Sequence, residues 1–378
     1  MEDITNNSIL DKVMAASEEE ELESFNPVEI VAKFFAELPS REQDILRRRF
    51  GLHGKGNETL EKIGASYKVT RERVRQIENA AIKHIKGFNK FEESIKPVEL
   101  VVLGALEKHG GIMAESHMLS YLLELEDSED AVAKHLLFLL NKLSSSRLIF
   151  ENKKGFSPSW RVDFVDWDKV EQTVDQMVQI LEVEGKPLNE DELIELFRKT
   201  AVYESHKSHF NFNEGTIEPI RAHMYVCDKL KTNPFNEWGL AHWTTVTPKR
   251  MGDKIYLIMK KNEKPLHFRD IAEHINNAGF DKKKAYAPTV HNELILDDRY
   301  VLVGRGIYAL KEWGYIPGVV SDVIQNVLKG SSEPLSREDI VSRVLEQRMV
   351  KRGTVYLALS NNDRFAKDEQ GRYFLALK

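Results

Sequence analysis

The chain has 378 residues, of which 42% are apolar and 30% charged, and its formal net charge is −6. This length exceeds what one hydrophobic core usually organises, so we expect two to four domains. No apolar run approaches the ~18 residues of a membrane span, and the N-terminus does not read as a secretory signal, which argues against a membrane or exported protein.

Charge is distributed unevenly along the chain. Residues 1–30 contain nine acids and one lysine, whereas residues 38–90 contain thirteen Lys or Arg against six Asp or Glu. We predict that residues 1–26 form an acidic disordered tail, because they have too few apolar side chains to offset the entropy of ordering. A basic block in an acidic protein indicates a polyanionic partner, although a merely solvated basic face has the same composition.

Helical periodicity begins at Pro27. The sequence PVEIVAKFFAEL predicts one amphipathic helix. Pro39 with Ser40 predicts the start of a second helix, which ends at Gly51. The text ETLEKIGASYKV then predicts a short helix, with a tight turn over residues 64–68.

The next helix is amphipathic in a way that suggests a ligand. Thr70 is placed to cap it, and Val74, Ile77, Ala81 and Ile85 share one apolar face. The opposite face and the N-terminal end carry polar side chains, namely Arg71, Glu72, Arg73, Arg75, Gln76, Asn79 and Lys83.

A short helix, a turn and a second helix that presents such side chains from its N-terminal half form the helix-turn-helix arrangement. In a major groove, Arg pairs with guanine, Gln with adenine, and Glu accepts from cytosine. The competing interpretation is a surface helix stabilised by its own ion pairs and binding nothing.

The string LPSREQDILRRRFGL followed by ETLEKIGASYKVTRERVRQIENAAIKHIK resembles region 4 of the sigma-70 family, the module that reads the promoter −35 element. The resemblance implies that Arg71, Glu72 and Gln76 read bases in double-stranded promoter DNA. It also implies contacts to the DNA backbone from a second group: Thr59, Leu60, Thr70, Arg73 and Arg75. Core RNA polymerase is the implied protein partner, through its flap.

The resemblance covers about 50 residues. A full sigma factor also has regions that melt the −10 element and clamp the polymerase core, and the segment before residue 38 is too short to hold them. We therefore expect that this chain does not open a promoter alone.

The remaining sequence is repetitive. GKPLNEDELIELF, EKPLHFRDIAEHI and SEPLSREDIVSRV each combine Pro-Leu, a polar cap and an apolar helix start. In the last two copies, Thr289 aligns with Thr354 and Tyr308 with Tyr373, at the same spacing of nineteen residues. Each copy predicts three helices and a β-hairpin, which turns at Gly306 or Gly371 in the last two copies; this is the winged-helix form of the helix-turn-helix.

The copy at residues 248–315 resembles the HARE-HTH family, known from the polymerase delta subunit. That resemblance implies a second DNA or partner site at Thr289, His291, Asn292 and Arg305. Protein docking is an equal alternative there, because this half of the chain is acidic and phosphate neutralisation drives DNA binding.

Chemistry-bearing motifs are sparse. His206 and His209 are loosely spaced, which favours a solvated loop over a metal site, and no cysteine partners Cys227 in a zinc site or disulfide. We therefore expect no enzyme activity, metal, cofactor or small-molecule substrate, and the single cysteine fits the cytoplasm.

The sequence thus predicts a mainly α protein with a sigma region 4-like helix-turn-helix and three or four tandem winged-helix domains bearing small antiparallel β-wings. The function it favours is sequence-specific transcription regulation or sigma-like promoter reading. The alternative is an accessory RNA polymerase subunit or protein-interaction module with incidental DNA contact. The expected domains, after the tail, span 27–92, 95–165, 167–246, 248–315 and 316–378.

Overall fold

A computed structural model describes residues 25–54, 56–123, 130–144, 147–211, 216–360 and 363–376. Nearly all of the predicted acidic tail lies outside these residues. The chain divides into two compact units, one holding residues up to Val183 with Asp191–Leu230, and the other holding Glu184–Glu190 with the chain from Lys231 onward. Across the described ranges, no helix combines the length and apolar composition needed to cross a membrane.

The protein is mainly helical with small antiparallel sheets, and it begins with four helices. These are α1 (Pro27–Ala36), α2 (Ser40–Phe50), α3 (Leu60–Tyr67) and α4 (Arg71–Lys86). As predicted, Gly51 ends α2 in the left-handed conformation and Thr70 caps α4, while Asn26 and Thr59 cap α1 and α3.

The core of this module joins α2, α3 and α4 through Ile45, Leu60, Ile63 and Val74, with Ile77 only partly buried at its edge. The prediction of a turn over residues 64–68 was wrong, because α3 continues to Tyr67 and the turn lies at Lys68 and Val69.

Gly64 therefore lies inside α3, where a Cβ would stand 2.7 Å from the carbonyl oxygen of Val69. The missing side chain lets the turn pack directly on the helix, and Val69 donates its amide to the Gly64 carbonyl at 3.0 Å. Lys68 supplies the left-handed residue of the turn, with φ of 54°.

After α4 the same order of elements, helix, strand, two helices and two strands, recurs three times. The first copy is α5 (Phe91–Lys108), β1 (Ile112–Ala114), α6 (Glu115–Leu123), α7 (Asp130–Lys142), β2 (Leu148–Glu151) and β3 (Ser159–Val162). The second is α8 (Trp167–Glu184), β4 (Leu188–Asn189), α9 (Glu190–Arg198), α10 (Ala201–His206), α11 (Pro219–Val226), β5 (Leu230–Thr232) and β6 (Glu237–Leu240), in which α10 is an added helix.

The third copy is α12 (Met251–Asn262), β7 (Leu266–His267), α13 (Phe268–Ala278), α14 (Ala287–Leu296), β8 (Tyr300–Gly304) and β9 (Ile307–Leu310). A fourth stretch follows the same plan with an isolated bridge instead of a first strand: α15 (Val320–Lys329), α16 (Arg337–Gln347), α17 (Arg352–Ser360), β10 (Phe365–Lys367) and β11 (Tyr373–Leu375).

In each of the three complete copies the last strand lies between the other two, giving the orders β1-β3-β2, β4-β6-β5 and β7-β9-β8. A large aromatic residue on that strand pairs with an apolar residue of the first strand. The pairs are Trp160 with Met113, Trp238 with Leu188, and Tyr308 with Leu266, and the fourth stretch has Tyr373 opposite Leu335. The leucines are those of the repeated Pro-Leu text, so the repeat in sequence is a repeat in structure.

Helix α7 packs against the helix-turn-helix module. The ring of Phe138 contacts Phe35 edge-on, with centroids 5.8 Å apart, and lies 5.0 Å from the ring of Phe50. One turn further along, Lys142 approaches Glu78 of α4 at 3.9 Å. The module thus shares its apolar surface with the domain that follows it.

Candidate nucleic-acid interface

The three side chains expected to read bases lie together on the open face of α4. Arg71, Glu72 and Gln76 are all exposed, and the Arg71 side chain keeps 69% of its accessible surface. Val74 and Ala81, on the opposite face, are fully buried and fix the rotation of the helix. The N-terminal half of α4 can therefore meet base edges without rearrangement of the module.

These side chains are already paired with one another and with α3. Arg71 lies 3.1 Å from Glu61, Arg75 donates to Glu72 at 2.6 and 2.9 Å, and Arg73 donates to Gln76 at 3.1 Å. The hydrogen bonds from Arg75 lower the pKa of Glu72, so this carboxylate is ionised at neutral pH. Exposed ion pairs contribute little to stability, so contacts with DNA can replace them at a small cost in free energy.

Two helix N-termini lie beside these readers. Thr59 accepts a hydrogen bond from the Lys62 amide and Thr70 one from the Arg73 amide, both at 3.2 Å. The helix dipoles favour an anion at the N-terminus of each of these two helices. The side chain of Leu60 is buried in the core, so its contribution to DNA contact is limited to its backbone amide.

Some basic residues between positions 38 and 90 pair with carboxylates within the fold, and others are exposed. Arg48 is mostly buried and holds the loop before α3 through Glu58 at 2.8 Å, while Arg49 approaches the buried Glu78 at 3.6 Å. Asn79 and Lys83 are exposed on α4 beyond the base readers. Only part of the positive charge counted in the sequence is therefore free to meet phosphates.

Residues 34–87 match the family described as Sigma-70, region 4. They form a sigma-70 region 4 domain. This confirms the resemblance for that segment. Helix α4 is the second helix of the helix-turn-helix in this domain.

The chain is also similar to sigma factors over stretches of 49 to 62 residues. The chain is 53% identical over 49 residues to RNA polymerase sigma factor SigA of Lactococcus lactis subsp. cremoris, covering 13% of this chain and 14% of that protein. It is 44% identical over 62 residues to SigA of Nostoc sp. (strain PCC 7120 / SAG 25.82 / UTEX 2576), covering 16% of each. SigA4 of Synechococcus elongatus is 41% identical over 58 residues, 15% of this chain and 19% of that protein. The chain thus spans less than a fifth of the length of these relatives.

The four residues of the second candidate site differ in their exposure to solvent. Thr289 and Asn292 are exposed on α14, and Arg305 is exposed at the β8–β9 turn beside Gly306, whose φ is 67°. His291 is half-buried and packs its ring 4.5 Å from that of Phe268.

The prediction of a solvated loop at His206 and His209 was wrong. His206 ends α10, and His209 lies in the short 3₁₀ helix Lys207–Phe210, with its ring 5.5 Å from the fully buried His223. Among the residues that the structure describes, no group of three or more His, Cys, Asp or Glu is arranged to hold a metal ion.

Sequence reasoning missed Glu61, which holds Arg71, and Lys142, which reaches Glu78 from another domain. Thr59 caps α3, so Glu61 lies in the first turn of that helix. The helix-turn-helix geometry predicts that this turn lies close to the start of α4.

Proposed function

We propose that this protein reads promoter DNA through α4 and acts together with RNA polymerase as a sigma-like factor or transcription regulator. The observation that carries the proposal is the exposed group Arg71, Glu72 and Gln76 on the second helix of a sigma-70 region 4 domain. Double-stranded DNA of the −35 type is the ligand that this domain fits. No catalytic role is part of the proposal.

In this proposal the base readers and the phosphate contacts are separate. Arg71, Glu72 and Gln76 meet base edges, while Thr59, Thr70 and the adjoining helix amides hold the strand on either side. Arg73, Arg75, Asn79 and Lys83 extend the contact along the backbone.

We further propose that the repeated α and β elements after α4 are tandem winged-helix modules, of which the third is of the HARE-HTH type. The recurring strand order, and the aromatic residue at the same place in each, support this proposal. Helix α7, in the first of these proposed modules, packs on part of the region 4 domain of the same chain. This favours the second candidate, a polymerase-associated interaction array, for the C-terminal part of the chain.

The test is selection of duplexes from a randomised pool by the full chain, followed by titration of the selected and shuffled sequences. We expect Arg71→Ala and Gln76→Ala each to cost about 1–3 kcal/mol on the selected duplex and to relax preference at one base. Lys62→Ala removes an exposed charge from the same domain and should leave base preference intact. Equal affinity of the unaltered chain for selected and shuffled duplexes would refute base reading.

A further inference from the structure

A cavity of about 640 Å³ lies where the third copy of the repeat meets the fourth stretch. Its walls come from the β8–β9 hairpin, the segment before α15 and the segment that joins α16 to α17. The Met349 amide donates to the Val303 carbonyl at 2.7 Å, which fastens the α16–α17 segment to the edge strand β8. Both sides of the cavity belong to the same compact unit, and its volume is that of a small-molecule site.

The walls of the cavity are mostly aliphatic. Three of the apolar side chains that line it are at least half exposed, namely Leu302 at 50%, Met349 at 53% and Val319 at 64%. No lining residue is aromatic, and Thr354 is the one uncharged polar side chain among them. A nucleobase binds by stacking on aromatic rings or by hydrogen bonds to polar groups, so these walls favour an aliphatic ligand.

The charged residues that line the cavity are all cations. They are Arg305, Arg348 and Lys351, and the lining includes no aspartate or glutamate. Arg305 and Lys351 are exposed, and neither side chain forms an ion pair with any residue that the structure describes. The cavity therefore combines an aliphatic wall with a positive charge that its own lining does not balance.

Arg348 is the unusual cation of the three, because it is only 3% exposed. Its guanidinium donates to the carbonyl oxygens of Ile316 and Gly318 at 2.5 and 2.8 Å, and to that of Gln347 at 2.9 Å. These bonds leave other N–H groups of the guanidinium without an acceptor among the described residues. Carbonyl oxygens satisfy some of the donors of Arg348, but they do not neutralise its charge.

The carboxylate whose charge acts on Arg348 is engaged elsewhere. Asp322 accepts a hydrogen bond from Arg364 and another from the Val319 amide, both at 2.9 Å. Burial lowers the pKa of Arg348, and the charge of Asp322 offsets this only in part. A buried cation without a paired anion is costly, so an anion held in the cavity would be stabilised there.

We infer that this cavity binds an amphiphilic organic anion with an aliphatic chain. The anionic head group, a carboxylate or a phosphate, lies beside Arg348 and between Arg305 and Lys351, and the chain packs on the aliphatic wall. Duplex DNA is disfavoured as the occupant, because its phosphate backbone offers no aliphatic group to this wall. The site is separate from α4 and does not depend on promoter reading.

The test titrates the full chain with decanoate and with decyl phosphate, each below its own aggregation concentration, and measures binding by calorimetry. We expect saturable binding of at least one of these anions at one site per chain. Decanol has the same chain without the charge, and acetate has the charge without the chain. Each should bind about tenfold or more weakly, because charge pairing and apolar burial are both required.

Variants of exposed lining residues test the location of the site without removing core side chains. Met349→Asp places a carboxylate in the aliphatic wall and should weaken binding about tenfold or more. Arg305→Gln/Lys351→Gln removes two cations from the lining and should also weaken it about tenfold. Leu357→Asp adds the same charge as Met349→Asp at a position that is 63% exposed on α17 and outside the cavity, and it should bind like the unaltered chain.

The absence of saturable binding by both anions overturns the inference, and so does decanol binding as tightly as they do. Unchanged affinity in Met349→Asp, or an equal loss in Leu357→Asp, would place the ligand elsewhere and overturn it as well. Promoter-duplex affinity is measured on the same variants. A loss of that affinity in Arg305→Gln/Lys351→Gln, with no amphiphile bound by the unaltered chain, would assign these cations to DNA instead. Base reading by α4 is tested by its own titration and is unaffected by any of these outcomes.

Discussion

The ring of Phe138 on α7 stands edge-on to the ring of Phe35 on α1, at an interplanar angle of 85°. Phe138 is 2% exposed, and its other aromatic neighbour, Phe50, is the last residue of α2. The region 4 domain and the domain after it therefore share a buried core.

Phe138→Ala should destabilise the region 4 domain by about 3–5 kcal/mol, because the substitution removes a buried ring and leaves a cavity between helices. Phe138→Leu should cost less, about 1.5 kcal/mol, since it keeps most of the volume. Hydrogen exchange of the amides in α1 and α2 reports this local stability. Phe164→Ala, at a ring that is mostly exposed, is the control, and equal protection in all variants would contradict the shared core.

Gly64→Ala should destabilise the helix-turn-helix by about 1–3 kcal/mol, although glycine in a helix normally weakens it. The new Cβ would stand 2.7 Å from the backbone oxygen of Val69, so the turn must move. Gly104→Ala is the matched control, because Gly104 lies within α5 and has open space around its Cβ position. It should stabilise by about 0.5–1 kcal/mol. Thermal unfolding of both variants checks the opposite signs, and a stabilised Gly64→Ala would show that the close approach is unimportant.

Local signals predicted the helix-turn-helix well, because its helices are amphipathic and its caps lie in the sequence. Thr70, Gly51 and the apolar stripe of α4 specify where each element begins, ends and faces. Even so, Gly64 was assigned to the turn, since sequence alone does not distinguish a glycine that adopts a special backbone conformation from one that makes room for a neighbour.

Contacts between domains could not be predicted in the same way. In the sequence, Glu78 has the position on α4 of an ordinary surface residue. In the structure it is buried, because α2 brings Arg49 and α7 brings Lys142 close to it. The first copy of the repeat was equally hard to identify. It has Met113 where the later copies have the leucine of Pro-Leu, so the sequence repeat is weak there and the strand pairing with Trp160 shows the correspondence.

Stability of the unit that contains His223 should fall as the pH drops from 6.5 toward 3. Burial lowers the pKa of His223 to about 3, and neither ring nitrogen has a hydrogen-bond partner among the described residues. The unfolded chain then binds one proton more than the folded chain across this window. The free energy of unfolding should therefore decrease by about 1.4 kcal/mol per pH unit, or about 2 kcal/mol by pH 5. Burial lowers the pKa of the adjacent His209 as well, which acts in the same direction.

Urea titrations between pH 4.5 and 7.5 measure this slope, and His223→Met should reduce it relative to the unaltered chain. His242→Met replaces an exposed histidine and serves as the control for general effects of pH. An identical slope in the His223 variant and the unaltered chain would mean that this side chain is accessible to protons in the folded state.

Lys83→Ala should weaken binding to all duplexes alike, because an exposed lysine beyond the base readers on α4 can meet phosphates but not base edges. The slope of log K against log salt should become shallower by about 1, the value for one lost phosphate contact, and Lys86→Ala should behave in the same way. Lys96→Ala, an exposed lysine on α5, removes the same charge outside the proposed groove contact and should leave the slope unchanged. Titrations of selected and shuffled duplexes at four salt concentrations separate the two effects. A change in base preference with an unchanged slope would instead make Lys83 a base reader and place the duplex further along α4 than the positions of Arg71 and Gln76 imply.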